Sequence, residues 1–277
     1  MMGTSISSWV NEMSRQGYSA QIMPALFIGH GSPMNAIEDN DFTRSLHSIG
    51  KIIPKPKAIL CISAHWLTEG TLVNISPKPR MIYDMYGFPD ELYRVNYPAP
   101  GSPETAEETK SMVSTVDVKE DLQWGLDHGC WSVMRHVFPN ADIPVFEMSI
   151  DYYKPMQYHY DLAKQLQKLR QKSVLIAGSG NITHNLRMVD MSDINLNPTD
   201  WALEFDTAVK KYIDNGNHQE LIDYKNLGRA SNLSVPEPSH YIPLIYTMAL
   251  QNNNEAISYF YEGFHYGSLS MRCLKIG

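Results

Sequence analysis

Five histidines stand in settings where an imidazole can do more than pack. They are His30 in Gly29-His30-Gly31-Ser32-Pro33, His65 in Ser63-Ala64-His65-Trp66, His128 in Asp127-His128-Gly129, His184 after Gly178-Ser179-Gly180-Asn181, and His240 in Pro238-Ser239-His240-Tyr241. His30, His65 and His184 follow apolar runs of strand length, and the glycines flanking His30 leave room for the backbone to approach a ligand. Neutral imidazole ligates Zn, Fe, Ni and Cu, and each ligating ring needs an acceptor for its second nitrogen. Asp127, Glu237 and main-chain carbonyls are at hand for that role. The intervals between these histidines match no metal-binding signature, so the signal lies in their local settings. By contrast His47, His136 and His159 fall within helical patterns, His218 in a polar loop and His265 in a hairpin, which predicts structural roles for them.

Other chemistries are excluded by single residues. Thr183 stands where a dinucleotide fingerprint beginning at Gly178 needs its third glycine, and Ala177 stands where a nucleophile elbow around Ser179 needs its first. The chain has no P-loop and no H-E-x-x-H helix.

The elements that must hold the histidines follow from apolar patterning. Strands are predicted over Pro24 to Gly29, Ala58 to Ser63, Leu72 to Ile75, Val116 to Val118, Pro144 to Ile150 and Ser173 to Ala177, the last running into a glycine-rich turn. A helix capped by Asp41 carries Phe42, Leu46 and Ile49 on one face and is broken by Pro54 and Pro56. Ser102-Pro103-Glu104 opens a helix running to about Thr115. Further helices are predicted around Val133, Met134 and Val137, from Pro155 to Gln171, from Asp200 to Asn215, and from Ser239 through Leu250. Ala256 to Glu262 and Ser268 to Ile276 close the chain as a hairpin. This alternation predicts an α/β fold, a central mixed, largely parallel sheet flanked by helices, with the metal site at the C-terminal ends of the strands. The stretch from Gly70 to Pro100 is rich in Pro, Tyr and Met and reads as a loop covering that site. Tyr83, Tyr86, Trp66 and Tyr241 are candidates for the pocket wall, with packing ahead of direct contact as the reading for each.

Composition narrows the partners. At 277 residues with 43% apolar and 19% charged residues, the chain reads as one globular domain, residues 24–277, behind an N-terminal extension, residues 1–23, in which Trp9, Val10 and Met13 predict at most an amphipathic turn or two. A net charge of -7 without basic runs argues against a nucleic-acid partner. No stretch has the length of a membrane span, and residues 1–23 lack the apolar core of a signal peptide. Cys61, Cys130 and Cys273 form no C-x-x-C pair and fit a reducing compartment, so a cytoplasmic protein is expected, as a monomer or small homo-oligomer with no membrane partner.

Taken together the motifs resemble those of a known family. Gly29-His30-Gly31-Ser32-Pro33, Ser63-Ala64-His65-Trp66, Tyr97-Pro98-Ala99-Pro100-Gly101, Asp127-His128-Gly129, Gly178-Ser179-Gly180-Asn181 with His184-Asn185-Leu186, and Pro238-Ser239-His240-Tyr241 with Pro243-Leu244 occur in the order found in DODA-type extradiol aromatic ring-opening dioxygenases. These form the class III branch related to the protocatechuate 4,5-dioxygenase catalytic subunit, and the likeness is to its bacterial 4,5-DOPA extradiol dioxygenase-like members. The resemblance implies a non-haem metal site where a small catechol, DOPA-like, binds through both oxygens with O2 beside it, and the ring opens next to the diol. It also implies that His30, His65 and His240 are metal ligands, His184 an acid/base or fourth ligand, and His128 an acid/base that hydrogen-bonds substrate. The wider class III pattern has a carboxylate as third ligand, whereas this chain offers His240 with Glu237 three residues earlier. An all-imidazole set suits Zn(II) as the bound ion, with Fe(II) expected for turnover. Two other functions fit the same histidines: a zinc-dependent hydrolase, and a metal-binding interaction protein without turnover.

Overall fold

Apolar runs that end in glycine or serine form the middle of a six-stranded sheet. In the computed structural model, which describes residues 22–252 and 255–277, its strands are β1 (Ala25–Gly29), β2 (Ala58–Ser63), β3 (Val145–Glu147), β4 (Val174–Gly180), β5 (Ile257–Tyr261) and β6 (Cys273–Ile276). The order is β5-β6-β1-β4-β2-β3. β1, β4, β2 and β3 are parallel, while β6 runs antiparallel to both β1 and β5. Every residue of β1, β2 and β4 is buried, as expected for parallel strands covered on both faces. The mixed, largely parallel sheet matches the expected fold class.

Alternate side chains of the strands feed two apolar layers. Phe27, Leu60 and Ile176 meet α4 (Met156–Gln165), α5 (Asp200–Asp214) and α6 (Ile242–Ala249) through Leu162, Val209 and Leu244. Ile28, Ile59 and Leu175 meet α1 (Asp41–Ile52) and α3 (His128–Val137) through Phe42 and Val133. Between them in sequence, α2 (Pro103–Met112) packs Ala106 on the first layer. No helix among the described residues is long and apolar enough to cross a membrane. Cys61, Cys130 and Cys273 are free and buried.

Several boundaries differ from the sequence expectation. Asn40, not Asp41, caps α1, because its side chain accepts the Thr43 amide while Thr43 reciprocates in a capping box. α2 ends at Met112, short of Thr115. The helix expected from Pro155 to Gln171 is divided at Leu166 into α4 and a turn over Gln167–Arg170. The expected strand to Ile150 stops at Glu147, and Ile150–Asp151 pairs instead with Leu67–Thr68. β5 and β6 pair as expected, with a smaller ladder, Phe264–His265 against Leu269–Ser270, between them. The turn expected around Trp9, Val10 and Met13 lies outside the described residues.

The largest difference concerns Gly178-Ser179-Gly180, which forms the end of β4 rather than a turn. The reason is close approach. A Cβ on Gly180 would overlap the carbonyl oxygen of His240, at the entry to α6, so the bare backbone is what lets that helix lie on the strand end.

Candidate metal centre

The sheet register delivers the histidines to one edge. Gly29 is level with Gly180, and Ser179 with Ser63, so the chain leaves β1, β4 and β2 side by side toward His30, His184 and His65. After β1 the chain turns sharply at Gly31, whose φ of 60° suits glycine, and the Gly31 amide donates to Asn181 Oδ1. Asn181 also donates its side-chain amide to Ser270 and its main-chain amide to the His240 carbonyl, at 2.8 Å in each case. One asparagine therefore ties the β1 loop, the C-terminal region and the entry to α6 together. His128 is the first residue of α3, whose N-cap is Asp127.

All five imidazoles converge. The ring of His30 lies 5.1 Å from that of His65, 5.8 Å from His128 and 5.2 Å from His240, centre to centre. His65 and His128 are 3.9 Å apart, and His184 stacks face to face on His240 at 3.5 Å with the planes 3° from parallel. Among the described residues, His30, His65 and His128 bring their ligand atoms within 4.8 Å of one another.

Hydrogen bonds fix how the His30 and His240 rings face, and a carboxylate contact orients the ring of His65. Ser179 donates its hydroxyl proton to the Gly129 carbonyl at 2.5 Å, so its oxygen accepts from His30 Nδ1 at 3.0 Å. Ser239 likewise donates to Glu237 and accepts from His240 Nδ1 at 3.1 Å. His65 Nδ1 faces Asp84 Oδ2 at 3.2 Å, and a carboxylate can only accept. In each ring the proton sits on Nδ1 and Nε2 keeps its lone pair. His30 Nε2 and His65 Nε2 then face each other at 3.3 Å, two lone pairs with no proton between them. That repulsion is relieved by a shared cation, and 3.3 Å is within the span of two nitrogens each about 2.0–2.1 Å from one ion. The donor set thus fits a divalent metal.

Electrostatics agree. Burial, then the neighbouring rings, lowers the pKa of His30 and His240 well below 6.5. Burial and His128 do the same for His65 against the opposing pull of Asp84, and burial brings His184 to about 4. Burial opposes ionisation of Asp84, but His128 and His65 outweigh it and hold its carboxyl at about 2. Neutral rings are what a metal requires. A stability consequence follows. The folded metal-free chain binds fewer protons than the unfolded chain below pH 6.5, so stability is full above that value and falls as pH drops toward 4. The thermal midpoint of metal-stripped protein is expected to decline steadily from pH 7 to 4.5; a flat profile would contradict neutral burial of these rings.

Not every residue singled out in the sequence serves the centre directly. Asp127 holds no imidazole; its carboxylate accepts from Ser63 Oγ and the Cys130 amide, capping α3. Glu237 acts on His240 only through Ser239, whose amide and hydroxyl it accepts. Tyr241 is a core residue, its hydroxyl donating to the Leu221 carbonyl. Trp66 stacks on Trp124, Tyr83 donates to the Val95 carbonyl, and Tyr86 is 92% exposed. His136 bonds the Asn35 carbonyl, His159 approaches the Tyr246 hydroxyl, and His265 packs edge-on against Phe42, all structural as expected. His218 is structural too, but it opens a short helix, His218–Ile222, and bonds Tyr160 and Gln251. The residue that sequence reasoning missed is Asp84, whose carboxylate lies against both His65 and His128. The only signal for it was its place in the covering loop, between Tyr83 and Tyr86.

Comparison with known proteins agrees with this geometry. Residues 24–267 match the family described as catalytic LigB subunit of aromatic ring-opening dioxygenase. The 4,5-DOPA dioxygenase extradiol of Escherichia coli (strain K12) is 41% identical over 94% of this chain and 96% of its own length. That of Beta vulgaris is 35% identical over 94% and 98%. The crystal structure of an uncharacterized protein from Escherichia coli K12 superposes with a TM-score of 0.81 at 38% identity, covering 92% of this chain and all of that one.

Proposed function

Because the chain belongs to the LigB family of aromatic ring-opening dioxygenases, and is a metal-dependent extradiol dioxygenase, we propose that it opens the ring of a small DOPA-like catechol, with His30, His65 and His240 as metal ligands and His128 and His184 as acid–base groups. The observation that carries this reading is the pair of facing lone pairs on His30 and His65, with the Nδ1 of His240 tied back in the same way. These imidazoles would hold a divalent metal, which would supply Lewis acidity toward the catechol and, if redox-active, the means to react with O2.

The protein's own groups do the rest. Ser179 and Ser239 each accept an Nδ1 proton and the Asp84 carboxylate faces the third, so that His30, His65 and His240 present lone pairs without reorganisation. His128, neighbour to His65 and anchored by Asp84, accepts a proton from the catechol and returns one as the ring opens. His184, stacked on His240, is held neutral and serves as the second acceptor or donor at the substrate's other side. The working metal is Fe(II), since ring opening with O2 requires a redox-active ion, and Zn(II) binds the same imidazoles without supporting turnover. The enzyme works in the cytoplasm, as a monomer or small homo-oligomer, and its three free buried cysteines support a reducing compartment.

The test is oxygen uptake with absorbance followed in parallel, after stripping the protein and reloading it anaerobically with Fe(II) or Zn(II), then adding L-DOPA and air. Uptake together with a yellow ring-opened semialdehyde, from the Fe(II) form alone, is expected. Uptake with neither metal over a panel of catechols would reject the substrate class and the metal assignment.

A further inference from the structure

Resting on the metal-centre assignment above, we infer that Asp84 is a positioning residue shared by the ligand His65 and the acid–base group His128, one carboxylate holding both rings with Nε2 turned toward metal and substrate. Its Oδ2 lies 3.2 Å from His65 Nδ1. Its Oδ1 lies 3.0 Å from His128 Nδ1 and accepts the His128 main-chain amide at 2.9 Å. The hydrogen bond Asp84 makes is to the His128 main-chain amide; the Nδ1 of His128 has no hydrogen-bond partner among the described residues, and at both rings the carboxylate acts as a nearby negative charge that can only favour a proton on Nδ1. The two rings are 3.9 Å apart, close enough that moving one anchor moves both.

The chain before Asp84 is fixed to the same helix that carries His128. Arg80–Met81 pairs with Gly125–Leu126, and the Ile82 amide donates to the Leu126 carbonyl at 2.8 Å. The Ile82 carbonyl accepts from Trp131 Nε1 at 2.9 Å, and the Tyr83 ring packs on Trp131. Asp84 is therefore docked on the first turn of α3, and the site reaches from one turn of helix to a ligand that follows β2.

This arrangement makes Asp84→Asn a sharp probe. The His128 amide demands an acceptor, which keeps an asparagine's oxygen on that side and turns its NH2 toward His65 Nδ1. His65 would then carry its proton on Nε2, the atom facing His30, and the centre would lose a lone pair. Zn(II) affinity of the full chain, measured by competition with a chromophoric chelator, is expected to fall about 10–100-fold in Asp84→Asn. Long-range proton–nitrogen NMR spectra of the histidines should show His65 changing tautomer. Asp84→Glu, which keeps an acceptor-only group, should retain the tautomers and most of the affinity. Wild-type zinc affinity in Asp84→Asn, or an unchanged His65 tautomer, overturns the role of Asp84. If Asp84→Asn does not fold, Asp84→Glu decides, and a folded chain that loses both Nδ1–H tautomers yet keeps wild-type affinity overturns it. His65→Ala separates the two levels: if it also binds zinc like wild type, the metal-centre assignment itself fails.

Discussion

Replacing His65 by alanine is expected to empty the centre of metal and to abolish oxygen uptake. The substitution removes one of the two nitrogens that face each other at 3.3 Å and frees Asp84 on one side. Its effect on affinity should exceed the roughly 10–100-fold typical of losing an outer partner. His240→Ala should behave in the same way. His128→Ala should keep its metal and lose about 10²–10⁴-fold in turnover, the size expected for one acid–base group. Metal content by elemental analysis, beside kcat, reads all three. The contrast is informative because the ligand atoms of His128, His30 and His65 also lie within 4.8 Å of one another. Loss of metal from His128→Ala with retention in His240→Ala would move the third ligand from His240 to His128. Wild-type metal content in His65→Ala would remove the centre altogether.

Gly180→Ala is expected to damage the fold and the metal centre together. The added methyl overlaps the His240 carbonyl, and the strand end cannot yield because Gly180 is level with Gly29 on one side and its carbonyl accepts the His30 amide at 2.9 Å. The entry to α6 must move instead, which strains the 2.8 Å bond from the Asn181 amide to His240. A loss of about 3 kcal/mol is expected, the upper end for overpacking, together with weaker metal binding because His240 moves with its backbone. Denaturant unfolding with and without Zn(II) measures both. A variant within about 1 kcal/mol of wild type and with unchanged zinc affinity would show that α6 is free to shift.

Strand tips and histidines were legible in the sequence because their signals are local. An apolar run ending in Gly29-His30-Gly31 or Ser63-Ala64-His65 carries its own punctuation, and the sheet then has few ways to be built. The nature of the Gly178-Ser179-Gly180 segment was not local. A glycine that permits a turn and one that makes room for a helix arriving sixty residues later look alike until that helix is in place. Asn40 and Asp41 are both good helix caps, and only the reciprocal bond with Thr43 chooses between them. Asp84 had no pattern at all. It is a lone acid in an irregular stretch, and it matters only because the pairing of Arg80–Met81 with Gly125–Leu126 sets it on α3. From the sequence Tyr241 is a candidate for the pocket wall with packing as its first reading, and it packs in the core beside Phe205 and Tyr224.

The position of β4 between β1 and β2 has a consequence for how the molecule is made. Of these three strands the central one is synthesised last, and the bond between His30 and Ser179 joins residues 149 positions apart. Until β4 emerges, the two earlier strands have a vacant slot between them and present unsatisfied edges to the surroundings. Such distant pairing is slow compared with the closing of neighbouring elements. High-affinity capture of the ion therefore becomes available only once the slot has been filled and His240, well beyond β4 in the chain, has followed, which makes metal retention a gauge of completed topology rather than of any one segment.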